Sequence, residues 1–225
     1  MNLVRRRIVW FASLFGIAAT VTASFLWLDR PVALFVHDYF RHAHHTVADQ
    51  LSHFPNPLFL LAVVLSVILG LSMIFGRRLS RHQANTFICS LAVIFTEIIK
   101  NMLKLIFGRT WPETWVDNNP SFIGNGVYGF NFMHGGSAYQ SFPSGHMAAT
   151  CTVISVLWIR YPHFRWLYLI VGLCIGSALV GANYHFLSDV IAGAFVGASS
   201  GWMATVIWDT CTAERMSVDC KKTAP

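Results

Sequence analysis

Two short polar stretches stand where apolar segments begin. They are Pro143-Ser144-Gly145-His146, before an apolar segment that runs to Ile159, and His185-Phe186-Leu187-Ser188-Asp189, before one that runs to Trp208. Proline is favoured in the first turn of a helix and serine is a good N-cap, so the first stretch is expected to begin a helix. An offset of four residues places His185 and Asp189 on one face of a second helix.

The composition around these stretches is that of an integral membrane protein. Of the 225 residues, 55% are hydrophobic and only 12% are charged. That charged fraction is about half of the usual value for soluble domains. A run of about 20 apolar residues can cross a bilayer as a helix. We expect an all-α, polytopic membrane protein that forms a single domain over residues 1–225. The six predicted transmembrane helices are Ile8–Leu28, Pro57–Phe75, Asn85–Phe107, Pro143–Ile159, Trp166–Tyr184 and Ser188–Trp208.

The basic residues predict the orientation of these helices. Cytoplasmic loops are enriched in lysine and arginine, and six helices place both termini on one side. That side carries most of the flanking basic residues: Arg5, Arg6, Arg7, Arg77, Arg78, Arg81, Arg160, Arg165, Arg215, Lys221 and Lys222. We therefore expect cytoplasmic termini, with the loop 108–142 and the turn 183–185 on the outer face. The net charge of +6 follows from this topology. No nucleic-acid partner is expected, because basic residues do not alternate with exposed aromatics.

The segment after the first predicted helix is rich in histidine. Its histidines are His37, His42, His44, His45 and His53. A metal site and a hydrated loop are the two interpretations. We favour the hydrated loop and predict no bound metal, because no carboxylate or cysteine stands at a recognised ligand spacing.

Charged residues mark one face of the third predicted helix. Glu97, Lys100 and Lys104 lie at helical offsets of three and seven. Ionisable groups within a membrane span are costly, and they usually face the protein interior or a hydrated cavity. Lys104 and Arg109, near the outer end, could instead reach lipid headgroups. We favour a functional face on which Glu97 pairs with Lys100 and leaves Lys104 for a phosphate.

An aromatic-rich loop, residues 110–141, follows this helix. Long loops in compact proteins are commonly functional. Its aromatic residues could form an interfacial belt or a lid over a lipid, and the sequence does not choose between them. They include Trp111, Trp115, Phe122, Tyr128, Phe130 and Phe132.

The two opening stretches together indicate phosphoryl transfer. Free N–H groups at a helix N-terminus form an anion site, and Gly145 lets an oxygen approach the backbone. A carboxylate beside an imidazole fixes its tautomer and raises its basicity, as expected for His185 and Asp189. A capped helix with an incidental histidine and a structural His–Asp pair are the alternatives. His146 and Lys104 lie at the same predicted level, which favours chemistry on a membrane lipid.

These motifs resemble those of the type 2 phosphatidic acid phosphatase (PAP2) superfamily. That family carries a Lys-x6-Arg-Pro motif, a Pro-Ser-Gly-His motif and a Ser-Arg-x5-His-x3-Asp motif. The second is intact, and so is the His-x3-Asp half of the third. Trp111 stands where the first motif has arginine, and Leu179 where the third has arginine. The candidates to replace these cationic contacts are Lys100, His134, Asn183 and Tyr184.

The resemblance implies a six-helix PAP2-type core and a role for each matching residue. His185 attacks phosphorus to form a phosphohistidine, Asp189 orients it, and His146 protonates the leaving group. The developing charge is stabilised by Lys104, Arg109 and the N–H groups of Ser144 and Gly145, and no cofactor is needed.

The expected function is that of a lipid phosphatase at the periplasmic face of a bacterial inner membrane. Its partners are the bilayer and a phosphorylated lipid: undecaprenyl diphosphate, a lipid A phosphate, phosphatidate or phosphatidylglycerophosphate. A lipid phosphotransferase with the same site is one alternative. A catalytically silent lipid-binding relative is another, motivated by the missing arginines. The joint presence of His146, His185 and Asp189 argues against a silent relative.

Overall fold

The computed structural model describes residues 3–40, 55–114 and 118–223, with side chains described within 10–39, 57–114 and 118–213. The histidine-rich segment 41–54, Trp115 and the basic residues near both termini lie outside the described side chains. The metal and orientation predictions that depend on them stay predictions.

The described part of the chain is helical and carries no β-strand, only three isolated β-bridges in the aromatic loop. This confirms the predicted all-α class. The helices are α1 (Leu3–Ala23), α2 (Asp29–Phe40), α3 (Pro55–Ile74), α4 (Arg81–Phe107), α5 (Phe122–Asn125), α6 (Gly145–Arg160), α7 (Arg165–Gly181) and α8 (Leu187–Thr223).

The number of membrane-crossing helices differs from the prediction. Within the described residues, five helices are long and apolar enough to cross a membrane, not six. The predicted span Pro143–Ile159 is the one that falls short, because α6 has 16 residues. At 1.5 Å per residue it is about 24 Å long, against about 30 Å for the hydrocarbon core of a bilayer.

The first span is longer than predicted. A π-helical segment, Ser24–Leu28, joins α1 to α2 without a break, and the apolar run extends from Trp10 to Tyr39. π-Helical insertions in α-helices are frequent at functional sites. Here the insertion immediately precedes Asp29, a fully buried carboxylate.

Glycines on α8 allow it to pack closely against α6. Gly193, Gly197 and Gly201 repeat every four residues along one face of α8. A Cβ at Gly197 would overlap the carbonyl group of Ala148 on α6. Small residues at this spacing let helix backbones approach closely in membrane proteins. The α6–α8 pair therefore forms the centre of the bundle.

The packing of α4 against this pair brings three helix ends together. The hydroxyl groups of Thr96 on α4 and Thr152 on α6 lie 2.8 Å apart in the core. The backbone N–H of Ser144 donates to the carbonyl of Asp189 at 3.0 Å, which joins the beginnings of α6 and α8. The end of α4 and the beginnings of α6 and α8 thus meet at one end of the bundle.

Most described aromatic rings of the loop 110–141 pack on one another. Tyr128 and Phe130 stack on Phe25 of the π-helical segment, with ring centroids 4.9 and 5.1 Å apart. Phe130 also contacts Phe142, and Trp111 is buried. Phe132 is exposed. The rings of Phe25, Tyr128 and Phe130 cover the buried side chain of Arg109. Neither the belt nor the lid interpretation anticipates this arrangement.

Candidate active site

His185 and Asp189 lie at the beginning of α8, and a serine connects them. The Ser141 hydroxyl donates to Asp189 Oδ2 at 2.6 Å and lies 3.4 Å from His185 Nδ1. His185 Nδ1 is 3.7 Å from Asp189 Oδ2, longer than a normal hydrogen bond. Because the one Ser141 proton goes to Asp189, the geometry favours an Nδ1–H of His185 that donates to Ser141 Oγ. Nε2 then keeps its lone pair.

The second histidine of the opening stretches faces the first. The rings of His146 and His185 have centroids 6.3 Å apart, and the Tyr184 ring contacts both, at 5.5 and 5.2 Å. His146 is the second residue of α6, and the Ser144 side chain caps that helix by accepting from the N–H of Met147. Two imidazoles at the N-termini of two helices suit a pair that holds and moves protons.

Trp111 occupies part of the space around His185. The indole ring lies 5.2 Å from the His185 ring and 5.3 Å from the Tyr184 ring. The Lys104 Nζ lies 5.8 Å from the centroid of the same indole. The tryptophan that stands at the arginine position of the family motif therefore contacts both the lysine of that motif and His185.

Lys100 lies at the N-terminus of α6. A Cβ at Gly145 would come within 2.9 Å of the Lys100 Cδ and 3.2 Å of its Nζ, so the glycine lets the Lys100 side chain lie against the helix start. Nζ donates to Glu97 Oε1 at 2.5 Å, which is the pairing expected from the sequence. The Glu97 carboxylate compensates the positive charge of this ammonium group at the positive end of the α6 dipole.

Arg109 lies behind Asp189, not beside the lysines. Its side chain has 0% exposure, and its terminal nitrogens donate to Asp189 Oδ1 at 2.6 Å, Ser188 Oγ at 2.6 Å and Asp29 Oδ2 at 2.8 Å. The expectation that Arg109 contacts phosphate does not fit this placement, because protein groups already hold both terminal nitrogens.

Two of the four candidate replacements for the missing arginines lie in this cluster, namely Lys100 and Tyr184. His134 is in an exposed part of the loop, where its ring packs on Tyr139 at 4.1 Å. Asn183 donates to the carbonyl of Ala33 at 3.0 Å and so connects the turn before α8 to α2.

Burial and charge act on the titratable groups of the turn and loop. Burial lowers the pKa of His185 below its ordinary value, although Asp189 opposes this shift. For Arg109, burial acts to lower the pKa, but Asp189 and Asp29 outweigh it and raise the pKa. Burial raises the pKa of Tyr184. His185 is therefore neutral near pH 7, the form that a nucleophile needs. Among the described residues, no group of three or more His, Cys, Asp or Glu side chains could hold a metal ion.

The family assignment follows from a match to the PAP2 superfamily model over residues 85–213, more than half of the chain. The chain belongs to the PAP2 superfamily. The matched region contains every predicted site residue, from Glu97 to Asp189.

Similar proteins are bacterial PAP2 enzymes. The chain is 29% identical over 119 residues to a lipid A 1-phosphatase of Rhizobium johnstonii, and 27% identical over 119 residues to one of Rhizobium etli. Each match covers 53% of this chain, and 46% and 48% of the relatives, so the chain spans about half the length of the curated relatives it matches. A PAP2-type phosphatidylglycerolphosphate phosphatase from Bacillus subtilis has the same fold. It aligns with a TM-score of 0.52 and 18% identity, over 90% of this chain and 96% of that chain.

Sequence reasoning about this PAP2 site missed two buried serines, Ser141 and Ser188, and one buried carboxylate, Asp29. Asp29 directly follows the predicted first span, Ile8–Leu28, and lies outside the region that the family model matches. An ionisable residue within a membrane span is a signal of a functional site. The sequence prediction did not contain that signal, because the predicted span ended at Leu28. The partner of Asp29 was not predictable either, because Arg109 is 80 residues away.

Proposed function

We propose that this PAP2 protein is a phosphatase that removes phosphate from a membrane lipid through a phosphohistidine on His185. One observation carries the proposal: a neutral buried imidazole, oriented by Ser141 and Asp189, faces a second imidazole, that of His146. This arrangement lies where three helix ends of a membrane bundle meet.

The proposed reaction has two steps. His185 Nε2 attacks phosphorus, so that a P–N bond forms while the P–O bond to the lipid breaks, and His146 gives a proton to the departing oxygen. Water then attacks phosphorus, the P–N bond breaks, and His146 takes a proton from that water. Free phosphate leaves, and both histidines return to their starting forms. Asp189 stabilises the positive charge that His185 carries in the intermediate.

Two lysines and a helix N-terminus are proposed to hold the phosphate. Lys104 and Lys100 supply positive charge, and the N–H of Gly145 lies in the first turn of α6. The N–H of Ser144, which was also expected at the phosphate, donates instead to the carbonyl of Asp189. Electrostatic stabilisation of this kind is usually the largest contribution to phosphoryl transfer. In this proposal the lysines perform the function that the family arginines perform elsewhere.

We propose a lipid A phosphate as the first substrate to test, because the matched curated relatives are named lipid A 1-phosphatases. The active site is then proposed to face the periplasm of a bacterial inner membrane and both termini the cytoplasm, as the distribution of basic residues predicts. This topology requires that the short helix α6 also runs across the bundle between α4 and α7. The whole chain is proposed to act as one domain, because Asp29 in the first span accepts a hydrogen bond from Arg109, which also donates to Asp189 of the site.

Phosphate release by detergent-purified protein tests the proposal. The substrates are lipid A, undecaprenyl diphosphate, phosphatidate and phosphatidylglycerophosphate. We expect release by the wild type, and a loss of roughly 10³-fold or more in His185→Asn. The matched control is His163→Asn, an exposed histidine at the far end of the bundle, which should retain wild-type activity. Release by His185→Asn at the wild-type rate contradicts the proposal. Transfer of label to a second lipid without free phosphate indicates a phosphotransferase.

A further inference from the structure

A buried charge cluster lies behind His185. Asp29, Arg109 and Asp189 have between 0% and 1% exposure. Arg109 bonds to both carboxylates, at 2.8 and 2.6 Å. Ser188 donates to Asp29 through its hydroxyl and, at 2.9 Å, through its N–H.

Aromatic rings enclose the guanidinium of this cluster. The Arg109 Cζ lies 4.2 Å from the centroid of Phe186 and between 5.1 and 5.3 Å from those of Phe25, Tyr128 and Phe130. Little water can reach a cation in this position, so its charge acts on its neighbours with little screening.

The balance of charge in the cluster depends on Asp29. A lone Arg109–Asp189 pair would be neutral overall, and Arg109 would partly offset the attraction of Asp189 for a positive charge on His185. With Asp29 as a second carboxylate, the cluster carries one net negative charge. That remaining charge is available to His185, which becomes positive when it is protonated or phosphorylated.

Other polar and charged groups face His185 from each element packed around it. Asp189 lies on α8, Lys104 on α4, His146 on α6, Ser141 and Trp111 on the loop, and Tyr184 beside it on the turn. The Tyr128 hydroxyl, also from the loop, donates to Asp29 Oδ2 at 3.3 Å. Lys104 and Arg109 are both cations that disfavour a positive charge on the His185 imidazole. The negative charge of Asp29 opposes their effect.

We propose that Asp29 is a positioning residue that acts on His185 through Arg109 and Asp189, by keeping the buried cluster negative. The proposal rests on the proposed role of His185 as the nucleophile. It extends the active site into the first span, which lies outside the matched family region.

Asp29 also accepts the Ser188 N–H in the first turn of α8, and so it stabilises the helix N-terminus. A purely structural role of this kind predicts lower stability in variants, but no systematic change in the titration of His185. The two roles are therefore separable by substitutions that change the net charge of the cluster in opposite directions.

The experiment measures the pKa of His185 by NMR of protein labelled at histidine ¹³Cε1, with the resonance assigned by its loss in His185→Gln. Asp29→Asn makes the cluster neutral and should lower that pKa by about one unit. Arg109→Gln makes the cluster more negative and should raise it by about one unit. The double variant restores one net negative charge and should titrate close to the wild type.

The matched control is Asp209→Asn, which removes the carboxylate of the Arg160–Asp209 pair at the other end of the bundle and should cause no shift. Equal shifts in both single variants, or no shift in Asp29→Asn, overturn the proposal. If Arg109→Gln does not fold, the pKa of His185 in Asp29→Asn is compared with that in the double variant. The proposal requires that the added Arg109→Gln substitution raises this pKa. The titration needs no turnover, so protein that releases no phosphate contradicts the proposed function and still tests this inference.

Discussion

Ser141→Ala tests whether the hydroxyl between Asp189 and His185 contributes to catalysis. The substitution removes a donor that lies 2.6 Å from Asp189 Oδ2 and 3.4 Å from His185 Nδ1. All three side chains are buried, so water does not readily replace the hydroxyl. The imidazole then loses its nearest acceptor for Nδ1–H and is held less firmly for attack.

The expected loss can be estimated from these contacts. A hydrogen bond to a charged group contributes about 1.5–3 kcal/mol. Asp189 Oδ2 keeps a second donor, the N–H of Phe186 at 3.0 Å, so the lower part of that range applies. A loss of about 1.5–2 kcal/mol in the transition state corresponds to a fall in kcat of about 10- to 30-fold. KM should change little, because Ser141 contacts the Nδ1 side of His185, away from the phosphate.

The assay is steady-state phosphate release by Ser141→Ala, Ser141→Thr and a control. Ser141→Thr keeps the hydroxyl and should recover most of kcat. The matched control is Ser72→Ala, whose hydroxyl donates to a backbone carbonyl within α3 and is exposed. Wild-type kcat in Ser141→Ala, or a loss confined to KM, would refute this reasoning.

Three further predictions concern packing, pH and charge. Gly197→Ala should destabilise the protein by about 1–3 kcal/mol in thermal unfolding, because its Cβ meets the backbone of Ala148. The control Gly16→Ala has open space around the new Cβ and should be neutral or slightly stabilising. Because burial lowers the pKa of His185 below 6.5, turnover should persist below that pH and fall only as pH drops through the lowered pKa. The free energy of unfolding should decrease as pH falls from 6.5 towards the lowered pKa of His185, since the unfolded state binds this proton more readily. Lys104→Gln should reduce kcat by about 100-fold in phosphate release.

Each of these predictions has a contradicting outcome. Equal melting temperatures for Gly197→Ala and Gly16→Ala would show that α6 and α8 do not pack closely. An acid limb of kcat/KM above pH 6.5 would contradict the buried, neutral state of His185. Full activity of Lys104→Gln would exclude this lysine as a phosphate contact. The control for Lys104→Gln is Arg78→Gln, at an exposed position in the α3–α4 connection, which should remain active.

The sequence predicted the family, the helical class and the proximity of His146 to His185. These features depend on local patterns, namely apolar runs, helix starts and short motifs with fixed spacing. The pairing of Glu97 with Lys100 was likewise predictable, because both residues lie on one turn of α4.

Features that depend on long-range packing were not predictable in the same way. The predicted count of six spans was wrong because the helix in the fourth predicted span, Pro143–Ile159, is only 16 residues long. Arg109 was expected at the phosphate because it stands near the family position. Its buried partners, Asp29 and Asp189, come from 80 residues away on either side. The contact of Trp111 with His185 was also not predictable, because it forms only when the loop 110–141 folds over the turn 183–185.

The most direct measurement of the proposed chemistry is to trap the phosphorylated enzyme. Wild type, His146→Gln and His185→Asn are mixed with lipid A carrying ³²P at its phosphate, quenched in base and separated. A phosphohistidine is stable in base and labile in acid. We expect such a label on the wild type, a label that forms and breaks down more slowly on His146→Gln, and none on His185→Asn. A base-stable, acid-labile label that remains on His185→Asn would contradict the assignment of His185 as the nucleophile.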